Sequence, residues 1–376
     1  MAKKHIVAVV GTRGIPKLLG GIETHCQKLY PRILKTHPDF EIHLYARKYY
    51  TTHSKNYTYK GVFVHPIPCI HKSSLEALSH TFLCWFYILH LKPDIVHIHG
   101  IGNALFVPFY RLLGAKVVYT HHGQDYLRQK WGKLAKFMLK TGERVGTFFA
   151  NKIIVISEGI NHFLKNKYKT NRTVLIRNGV DIPKRNAENE AEWLTRHMLK
   201  PNKYVFSLGR FVEEKGFHDL IEACENLPEG IKLVIAGGAD HESEYSLKLK
   251  RFAKENNVIL PGIIKGEELT AFFGNARLFV LPSYHEGLPI ALLEALSYNL
   301  NVLVSDIPAN KEVPLSEDCF FPVKNVPVLR ERIREKIQEN QSHDYIHIVR
   351  ELYNWDTIAE QTAEVYYEIL NLKPEL

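Results

Sequence analysis

Two cations and two carboxylates in the second half of the chain have types and spacings that could bind phosphate and hydroxyl groups. Arg210 and Lys215 stand five positions apart beside glycines, and an arginine fork with a lysine point charge suits a diphosphate. Glu286 and Glu294 stand eight positions apart, about 12 Å along one continuous helix. Carboxylates accept hydrogen bonds from sugar hydroxyls. A molecule made of ribose, diphosphate and sugar matches this layout.

The segment around the two glutamates has the pattern of a strand, a glycine turn and a helix. The apolar run 278–281 predicts a buried strand, and the periodicity of 288–298 predicts a helix. Gly287, Leu288 and Pro289 stand at the junction, where free N–H groups and the helix dipole favour an anion. We therefore expect these three residues to border a phosphate. Arg210 and Lys215 would stabilise the leaving diphosphate as its negative charge grows.

Strand and helix patterns alternate along nearly the whole chain, and many predicted strands end beside a glycine. This favours an α/β fold with a ligand edge at the carboxyl ends of parallel strands. We predict two Rossmann-like domains that face each other across a cleft. The predicted segments are a first domain at 1–182, a linker at 183–200, a second domain at 201–355 and a helix at 356–376 packing back on the first domain.

The first predicted domain contains further candidate ligand loops. Two glycine clusters, Gly11 to Gly14 and Gly20-Gly21, flank a loop between the first strand and its helix. The loop does not match Gly-x-Gly-x-x-Gly, so the dinucleotide interpretation is weak. Asn178 precedes a glycine just before the predicted linker, and His121-His122-Gly123 follows another predicted strand. We expect the backbone of the glycine loop to approach a ligand.

Charge is distributed unevenly along the chain. Residues 1–180 hold 27 Lys and Arg against 8 Asp and Glu, a net charge of +19, whereas the remainder is net −10. A basic half suits an anionic membrane surface, a phospholipid-linked acceptor or nucleic acid. No module with basic residues among exposed aromatics is evident, so we expect no nucleic-acid partner. The apolar segment 80–91 predicts a buried helix, with membrane-surface contact as the alternative.

Signals for metals and for disulfides are weak. No Asp-x-Asp occurs, and metal-dependent transferases need such carboxylates, so we expect no metal cofactor. His97-x-His99 and His121-His122 are conceivable zinc ligands, but histidine pairs without cysteine or carboxylate partners are rarely zinc sites. The five cysteines form no Cys-x-x-Cys pair, which favours a reducing, cytoplasmic location. No apolar stretch approaches about 18 residues, so no membrane span is expected.

Five motifs in order carry a resemblance to a known family. They are Gly11…Gly20-Gly21, Thr120-His121-His122-Gly123, Asn178-Gly179-Val180-Asp181, Gly209-Arg210…Glu214-Lys215-Gly216 and Glu286-x7-Glu294. Together they resemble the retaining glycosyltransferases of the GT-B fold, of the family 4 type. The opening motifs are similar to a bacterial subset linked to surface-polysaccharide assembly, including rhamnosyltransferase-type members.

The resemblance implies transfer of a sugar from a nucleotide-sugar donor to a glycan or lipid-linked acceptor, with retention of configuration and without a metal. Its catalytic residues would be His122, Arg210, Lys215 and Glu286, with His122 contacting a sugar hydroxyl or the acceptor. Donor binding would fall to Gly20, Gly21, Asn178, Arg210, Lys215, Ile263, Glu286, Gly287, Leu288, Pro289 and Glu294. Of these, Glu294 would hold the ribose and Ile263 would lie near the base.

Other functions stay open at this point. They are an epimerase or another sugar-nucleotide enzyme on a similar two-domain frame, a protein that binds a nucleotide sugar without turnover, and a nucleic-acid-binding protein. The expected location is the cytoplasm, with the inner face of the cell membrane as a site of peripheral attachment.

Overall fold

The computed structural model describes residues 4–372 except 17, 19, 52, 54, 72–74, 128–130, 240–241 and 340–342. The chain divides into two compact units. The first takes the residues up to Gly179 together with those from Asn354 onward, and the second runs from Val180 to Tyr353. Each unit is built on a mainly parallel sheet with helices, which confirms the predicted α/β class with two Rossmann-like domains.

The sheet of the first unit has eight strands within the described residues. They are β1 His5–Val10, β2 Phe40–Arg47, β3 Tyr57–Tyr59, β4 Val62–Ile67, β5 Ile95–His99, β6 Lys116–His121, β7 Lys152–Val155 and β8 Thr173–Leu175. Their order is β3-β4-β2-β1-β5-β6-β7-β8, and among them the β3–β4 pair alone is antiparallel. The chain leaves β1 toward β2 and later returns to its other side with β5. The strand order therefore reverses between β1 and β5, where open α/β sheets bind ligands.

The helices before residue 180 follow these strands. They are α1 Gly21–Thr36, α2 Glu76–Leu91, α3 Val107–Leu112, α4 Lys133–Phe149 and α5 Glu158–Tyr168. Alternate residues of β1 and β2 are buried together with one face of α1 in a single apolar core. This core positions the start of α1 directly after the glycine loop.

The second unit has a parallel five-stranded sheet in order β10-β9-β11-β12-β13. Its strands are β9 Tyr204–Arg210, β10 Lys232–Gly238, β11 Leu278–Leu281, β12 Val302–Ser305 and β13 Phe320–Phe321. Its helices are α6 Ala187–Arg196, α7 Phe217–Ala223, α8 Glu244–Glu255, α9 Gly266–Gly274, α10 Ile290–Ser297, α11 Pro308–Lys311, α12 Val326–Gln338 and α13 Ile346–Leu352. The strand order reverses between β9 and β11.

The final helix, α14 Trp355–Leu370, belongs to the first unit. Asn354 caps the start of this helix, because its side chain accepts a hydrogen bond from the N–H of Asp356. The helix packs on α1, with Tyr366 and Trp355 in the apolar core. Arg32 of α1 donates to Asp356 at 3.1 Å. The helix α14 thus belongs to the same unit as the first strand, β1.

Three local expectations differ from the structure. Helix α10 begins at Ile290 rather than at 288, because Pro289 takes the capping position and disfavours a helical backbone at the preceding residue. The apolar pattern of 258–260 predicts a strand, but the structure has only one bridge there, between Ile259 and Val234. The stretch 183–200 includes helix α6, whose Glu190 accepts from Asn275 at the end of α9, so it packs within the second unit.

Helix α2 is buried on one face and exposed on the other. Thr81, Cys84 and Ile88 are completely buried, whereas Phe82 and Phe86 are each 46% exposed. The segment expected to be a buried helix therefore also presents an aromatic surface. Among the described residues, no helix is long and apolar enough to cross a membrane.

Candidate functional site

In the second unit, the loops that carry Lys215 and Glu286 follow the neighbouring strands β9 and β11. Lys215 Nζ lies 2.5 Å from Oε1 of Glu286, and Ser283 donates from Oγ to the same oxygen at 2.7 Å. The two charged side chains are only 16% and 12% exposed. These loops flank the reversal of strand order, so the ion pair stands where a ligand is expected.

Gly216 and Tyr284 hold these two loops together. Gly216 has φ +64°, and a Cβ there would lie 2.2 Å from the carbonyl oxygen of Pro282. The N–H of Tyr284 donates to the carbonyl of Glu214 at 2.8 Å, and its hydroxyl donates to Asp219 at 2.6 Å. The lysine loop and the glutamate loop are therefore one interlocked structure, and their side chains keep a set spacing.

The junction before α10 presents free backbone donors. Within the described chain, the N–H groups of Gly287 and Leu288 donate no hydrogen bond to the protein. The Leu288 side chain and Pro289 are buried, which anchors the backbone at this point. Because the helix starts at Ile290, Glu286 precedes it and Glu294 lies within it, so the 12 Å spacing of one continuous helix does not apply.

Arg210 and Ile263 lie at the same end of the second sheet. Arg210 is the last residue of β9 and is opposite Gly238, the last residue of β10. A Cβ on Gly238 would lie 3.3 Å from Cγ1 of Ile263, whose side chain is 55% exposed. The predicted phosphate and base contacts thus share the carboxyl edge of the sheet with Lys215 and Glu286.

In the first unit, an ion pair closes the glycine loop. Glu23 in the first turn of α1 accepts hydrogen bonds from the backbone N–H and the guanidinium of Arg13, at 3.0 to 3.2 Å. Gly20 has φ +149°, and a Cβ there would lie 2.0 Å from the Glu23 carboxylate. Any other residue here would adopt a strained backbone conformation and displace the Arg13–Glu23 pair, so the glycine has a structural reason, and a ligand role for Gly20 and Gly21 stays a prediction.

Three histidines gather at the carboxyl edge of the first sheet. His122, the residue after β6, has Nε2 2.9 Å from Nδ1 of His99, the last residue of β5. The ring of His25, from α1, meets the ring of His122 edge-on with centroids 5.1 Å apart. Asn178, predicted to bind the donor, is 3% exposed and accepts from Nδ1 of His25 at 2.7 Å. Its amide oxygen is thus committed to His25.

His99 is the first of several buried side chains that are hydrogen-bonded in series into the core. Its Nε2 lies 2.5 Å from the hydroxyl of Tyr30, which is 3.2 Å from Nδ1 of His97. His97 also contacts the hydroxyls of Tyr366 at 2.6 Å and Thr120 at 2.6 Å. These contacts orient the His99 ring, and they direct His97 away from the three-histidine group.

The histidine pKa values are shifted strongly downward. Burial lowers the pKa of His25 to about 4, although the hydrogen bond with Asn178 raises it in part. Burial also holds the pKa values of His99 and His122 well below the ordinary value, with nearby imidazoles adding repulsion. All three rings are therefore neutral at pH 7.

His121 has a different role from its neighbour. It is completely buried, accepts the N–H of Gly123 at its Nδ1, and donates from Nε2 to Glu143 at 3.3 Å. Glu143 also accepts from Lys167 at 2.9 Å and Tyr168 at 2.7 Å. Burial alone would raise the pKa of Glu143, but these hydrogen bonds outweigh it and lower the pKa to about 2. His121 is held by this buried network, so of the two neighbours only His122 stays a candidate for ligand contact.

Sequence reasoning missed several residues of these arrangements. His25 and Ser283 carry no motif of their own, and the type and spacing of Arg13 and Glu23 do not single them out as a pair. One signal was present: His25 lies one turn into the helix that follows the glycine loop. Helix starts at this position of an α/β sheet point their first turn toward the ligand edge.

Two family models match consecutive parts of the chain. The model described as Glycosyltransferase Family 4 matches residues 19–184, and the model described as Glycosyl transferases group 1 matches residues 192–350. Together they cover most of both sheet units, leaving β1 and α14 outside the matched ranges.

Curated relatives come from several organisms. A capsular polysaccharide biosynthesis glycosyltransferase of Staphylococcus aureus is 24% identical over 62% of this chain and 66% of its own length. A processive diacylglycerol alpha-glucosyltransferase of Acholeplasma laidlawii is 23% identical over 74% of this chain and 86% of its own length. A GDP-mannose:cellobiosyl-diphosphopolyprenol alpha-mannosyltransferase of Xanthomonas campestris is 28% identical over 73% and 70%.

Solved structures share the fold at low identity. Sucrose-phosphate synthase from Thermosynechococcus elongatus superposes with a TM-score of 0.81 at 19% identity, covering 98% of this chain and 100% of that one. Anabaena HepE in complex with UDP-glucose has a TM-score of 0.79 at 15% identity, covering 96% and 99%.

Proposed function

The chain belongs to the GT-B glycosyltransferases of the family 4 type, and we propose that it transfers a sugar from a nucleotide sugar to a lipid-linked or growing polysaccharide acceptor, with retention. The single observation that carries the proposal is the Lys215–Glu286 ion pair at the reversal of strand order in the second sheet. It combines a cation for phosphate with a carboxylate for hydroxyls in one interlocked pair of loops.

The donor diphosphate would bind the cations and free amides of the second unit. Lys215 and Arg210 supply positive charge, and the N–H groups of Gly287 and Leu288 supply directed donors. These groups interact most strongly with the diphosphate as it leaves and gains charge, so they lower the barrier. We propose that they take the place of a metal ion at the diphosphate.

The sugar and the nucleoside would bind on either side of the diphosphate. Lys215 and Ser283 both engage Oε1 of Glu286, which leaves Oε2 for the hydroxyls of the donor sugar. Glu294, half-buried on α10, would accept from the ribose hydroxyls, and the exposed Ile263 would contact the base.

The proposed chemical step is a substitution at the anomeric carbon. The acceptor hydroxyl oxygen forms a bond to that carbon, the bond to the diphosphate oxygen breaks, and the acceptor proton passes to a diphosphate oxygen. The neutral His122 would hydrogen-bond a sugar hydroxyl or the acceptor. A carboxylate already paired with Lys215 is a weak nucleophile, which supports attack from the face of the leaving group. The anomeric configuration of the product, read by NMR, tests retention directly.

The acceptor proposal draws on chemistry that several relatives share. Relatives are described as acting in capsular polysaccharide biosynthesis, on diacylglycerol and on a diphosphopolyprenol. Two of these names give a lipid or a lipid-linked glycan as the acceptor, and the third gives polysaccharide biosynthesis. We extend that class to this chain and propose that it works in the cytoplasm at the inner face of the cell membrane.

Helix α4 is the proposed membrane contact. Leu134 and Phe137 are 74% and 67% exposed on this helix, and Lys133, Lys140 and Arg144 are exposed beside them. Exposed apolar side chains among basic ones suit the boundary of an anionic membrane. The exposed Phe82 and Phe86 of α2 add aromatic surface in the same unit.

Vesicle binding tests the membrane contact. We expect sedimentation with phosphatidylglycerol vesicles but not with neutral phosphatidylcholine vesicles, and a loss of this binding in the Leu134→Ser, Phe137→Ser double variant. The matched control is Leu247→Ser, which replaces a 51% exposed leucine of the second unit. Equal binding of both lipids, or equal loss in the control, would contradict the proposal.

Nucleotide binding tests the donor site. Ligands that bind the native state raise its melting temperature, so we would compare UDP, GDP, dTDP and ADP. One of them should raise the melting temperature of the wild type and fail to do so in Lys215→Ala. Lys250→Ala, which removes an exposed lysine paired with Glu242, is the matched control and should respond as the wild type does. Failure of all four nucleotides to shift the wild type would refute the proposed donor class.

A further inference from the structure

Three imidazoles converge on one point in the first unit. One ring nitrogen each of His25, His99 and His122 lies within 4.8 Å of the others. They come from three different elements, namely α1, the end of β5 and the residue after β6. No carboxylate or thiolate joins the group within the described residues.

The outer nitrogens of two rings are already held. Asn178 accepts from Nδ1 of His25, which leaves Nε2 of that ring available to the group. Tyr30 contacts Nε2 of His99, which turns its Nδ1 toward His122. Metal-binding histidines characteristically have their second nitrogen hydrogen-bonded in this way, since the contact selects the tautomer and orients the ring.

We propose that His25, His99 and His122 form a binding site for a divalent transition metal of the zinc and cobalt type. Imidazole nitrogens suit these ions, and three histidine ligands leave an open position for water or a ligand hydroxyl. The site belongs to the first unit. It includes His122, which we propose above to contact a sugar hydroxyl or the acceptor, and none of the residues proposed to bind the donor diphosphate.

Binding would require the three nitrogens to move. Nitrogens bound to one tetrahedral zinc ion stand about 3.3 Å apart, given a bond of about 2.0 Å. His99 Nδ1 and His122 Nε2 are now 2.9 Å apart, so this pair would open by a few tenths of an ångström. The three nitrogens lie within 4.8 Å of one another, so the wider spacings would close by as much as about 1.5 Å. His122 follows the end of its strand and is the least buried of the three ligands.

The pairs visible in the sequence are not the ones that make the site. His97 precedes His99 by two positions, but it contacts Tyr366 and Thr120 instead. His121 adjoins His122, but it is held by Glu143. The third ligand, His25, is remote in sequence and is brought in because α1 starts at the same edge of the sheet.

Cobalt absorption tests the site without any assay of sugar transfer. Metal-stripped full-length protein is titrated with Co²⁺, and the visible d–d bands of a low-coordinate ion are recorded. We expect one equivalent to bind, to be displaced by Zn²⁺, and to bind at least about tenfold more weakly in His25→Ala and in His122→Ala. Asn178→Ala should weaken binding by about 10- to 100-fold through loss of the orienting hydrogen bond.

A second histidine group supplies the control. Nδ1 of His43, on β2, lies 2.9 Å from Nε2 of His65, on β4, and Glu41 contacts the other ring nitrogen of His43. Because these residues are not part of the proposed site, His65→Ala should leave the cobalt spectrum unchanged. Melting curves of the metal-free variants verify that each one folds. A wild type with no d–d bands, or bands that survive both His25→Ala and His122→Ala, would overturn the metal site. Because no sugar donor is present, this result is independent of the proposed function.

Discussion

Lys215 and Glu286 form an ion pair with 2.5 Å between Nζ and Oε1, although they stand 71 positions apart in the chain. Each residue follows its own strand, and the two strands are neighbours in the sheet. The residue proposed for phosphate and the residue proposed for the sugar therefore restrain each other before any ligand binds.

The first prediction concerns this pair. Lys215→Ala should lower kcat/KM for sugar transfer by about 10²- to 10³-fold, because it removes a cation aimed at the leaving diphosphate. Glu286→Gln should lower kcat/KM by a smaller factor in the Lys215→Ala variant than in the wild type, because the partner of Glu286 is already absent there. Steady-state kinetics of the two single variants and the double variant measure this. Strictly additive losses would show that the ion pair does not couple the two roles.

The second prediction concerns Gly216. Gly216→Ala should lower the free energy of unfolding by about 3 kcal/mol or more, because the new Cβ would overlap the carbonyl of Pro282 at a positive φ. Gly266 has φ +57° with open space around it, so Gly266→Ala should cost only about 1–2 kcal/mol. Urea unfolding gives the free energy of unfolding of both variants, and thereby compares a steric clash plus backbone strain in Gly216→Ala with backbone strain alone in Gly266→Ala. Equal losses would mean that the two loops are not interlocked at this contact.

The third prediction concerns acid stability through Glu143. Its pKa is about 2 in the folded protein, below that of an unfolded carboxylate, so its charge stabilises the fold above about pH 4.5. This stabilisation is lost as the pH falls from about 4.5 to about 2. Glu143→Gln should lower stability at pH 7 by about 1–3 kcal/mol and flatten the acid dependence in that window. Chemical unfolding at several pH values measures both, and an unchanged acid slope in the variant would contradict the assignment.

The fourth prediction concerns the histidine group. The folded pKa of His25 is about 4 against 6.5 unfolded, so the unfolded chain binds the proton first as the pH falls. Stability should therefore decline from about pH 6.5 toward about pH 4, with each such histidine contributing up to about 1.4 kcal/mol per pH unit. Thermal unfolding at pH 7.0 and 5.5 would reveal the decline. Equal melting temperatures at both values would show that these rings are not buried as neutral groups.

Local sequence patterns were sufficient for most strands and for the candidate loops. The strand at 278–281 agrees with the structure, because an apolar run acts over a few residues. The start of α10 was misplaced by two residues, because a proline at the capping position competed with the helical periodicity.

The sequence by itself determined which residue types stand at the strand ends, the α/β class and the family resemblance. The tertiary structure alone decided that Lys215 pairs with Glu286, that Asn178 holds His25, and that His25 rather than His97 joins His99 and His122. The physical reason is the sequence distance over which each interaction acts. Hydrophobic periodicity and helix capping involve residues close in sequence, whereas these contacts depend on strand order and on where each helix begins. A pattern along the chain does not specify which strand ends become neighbours.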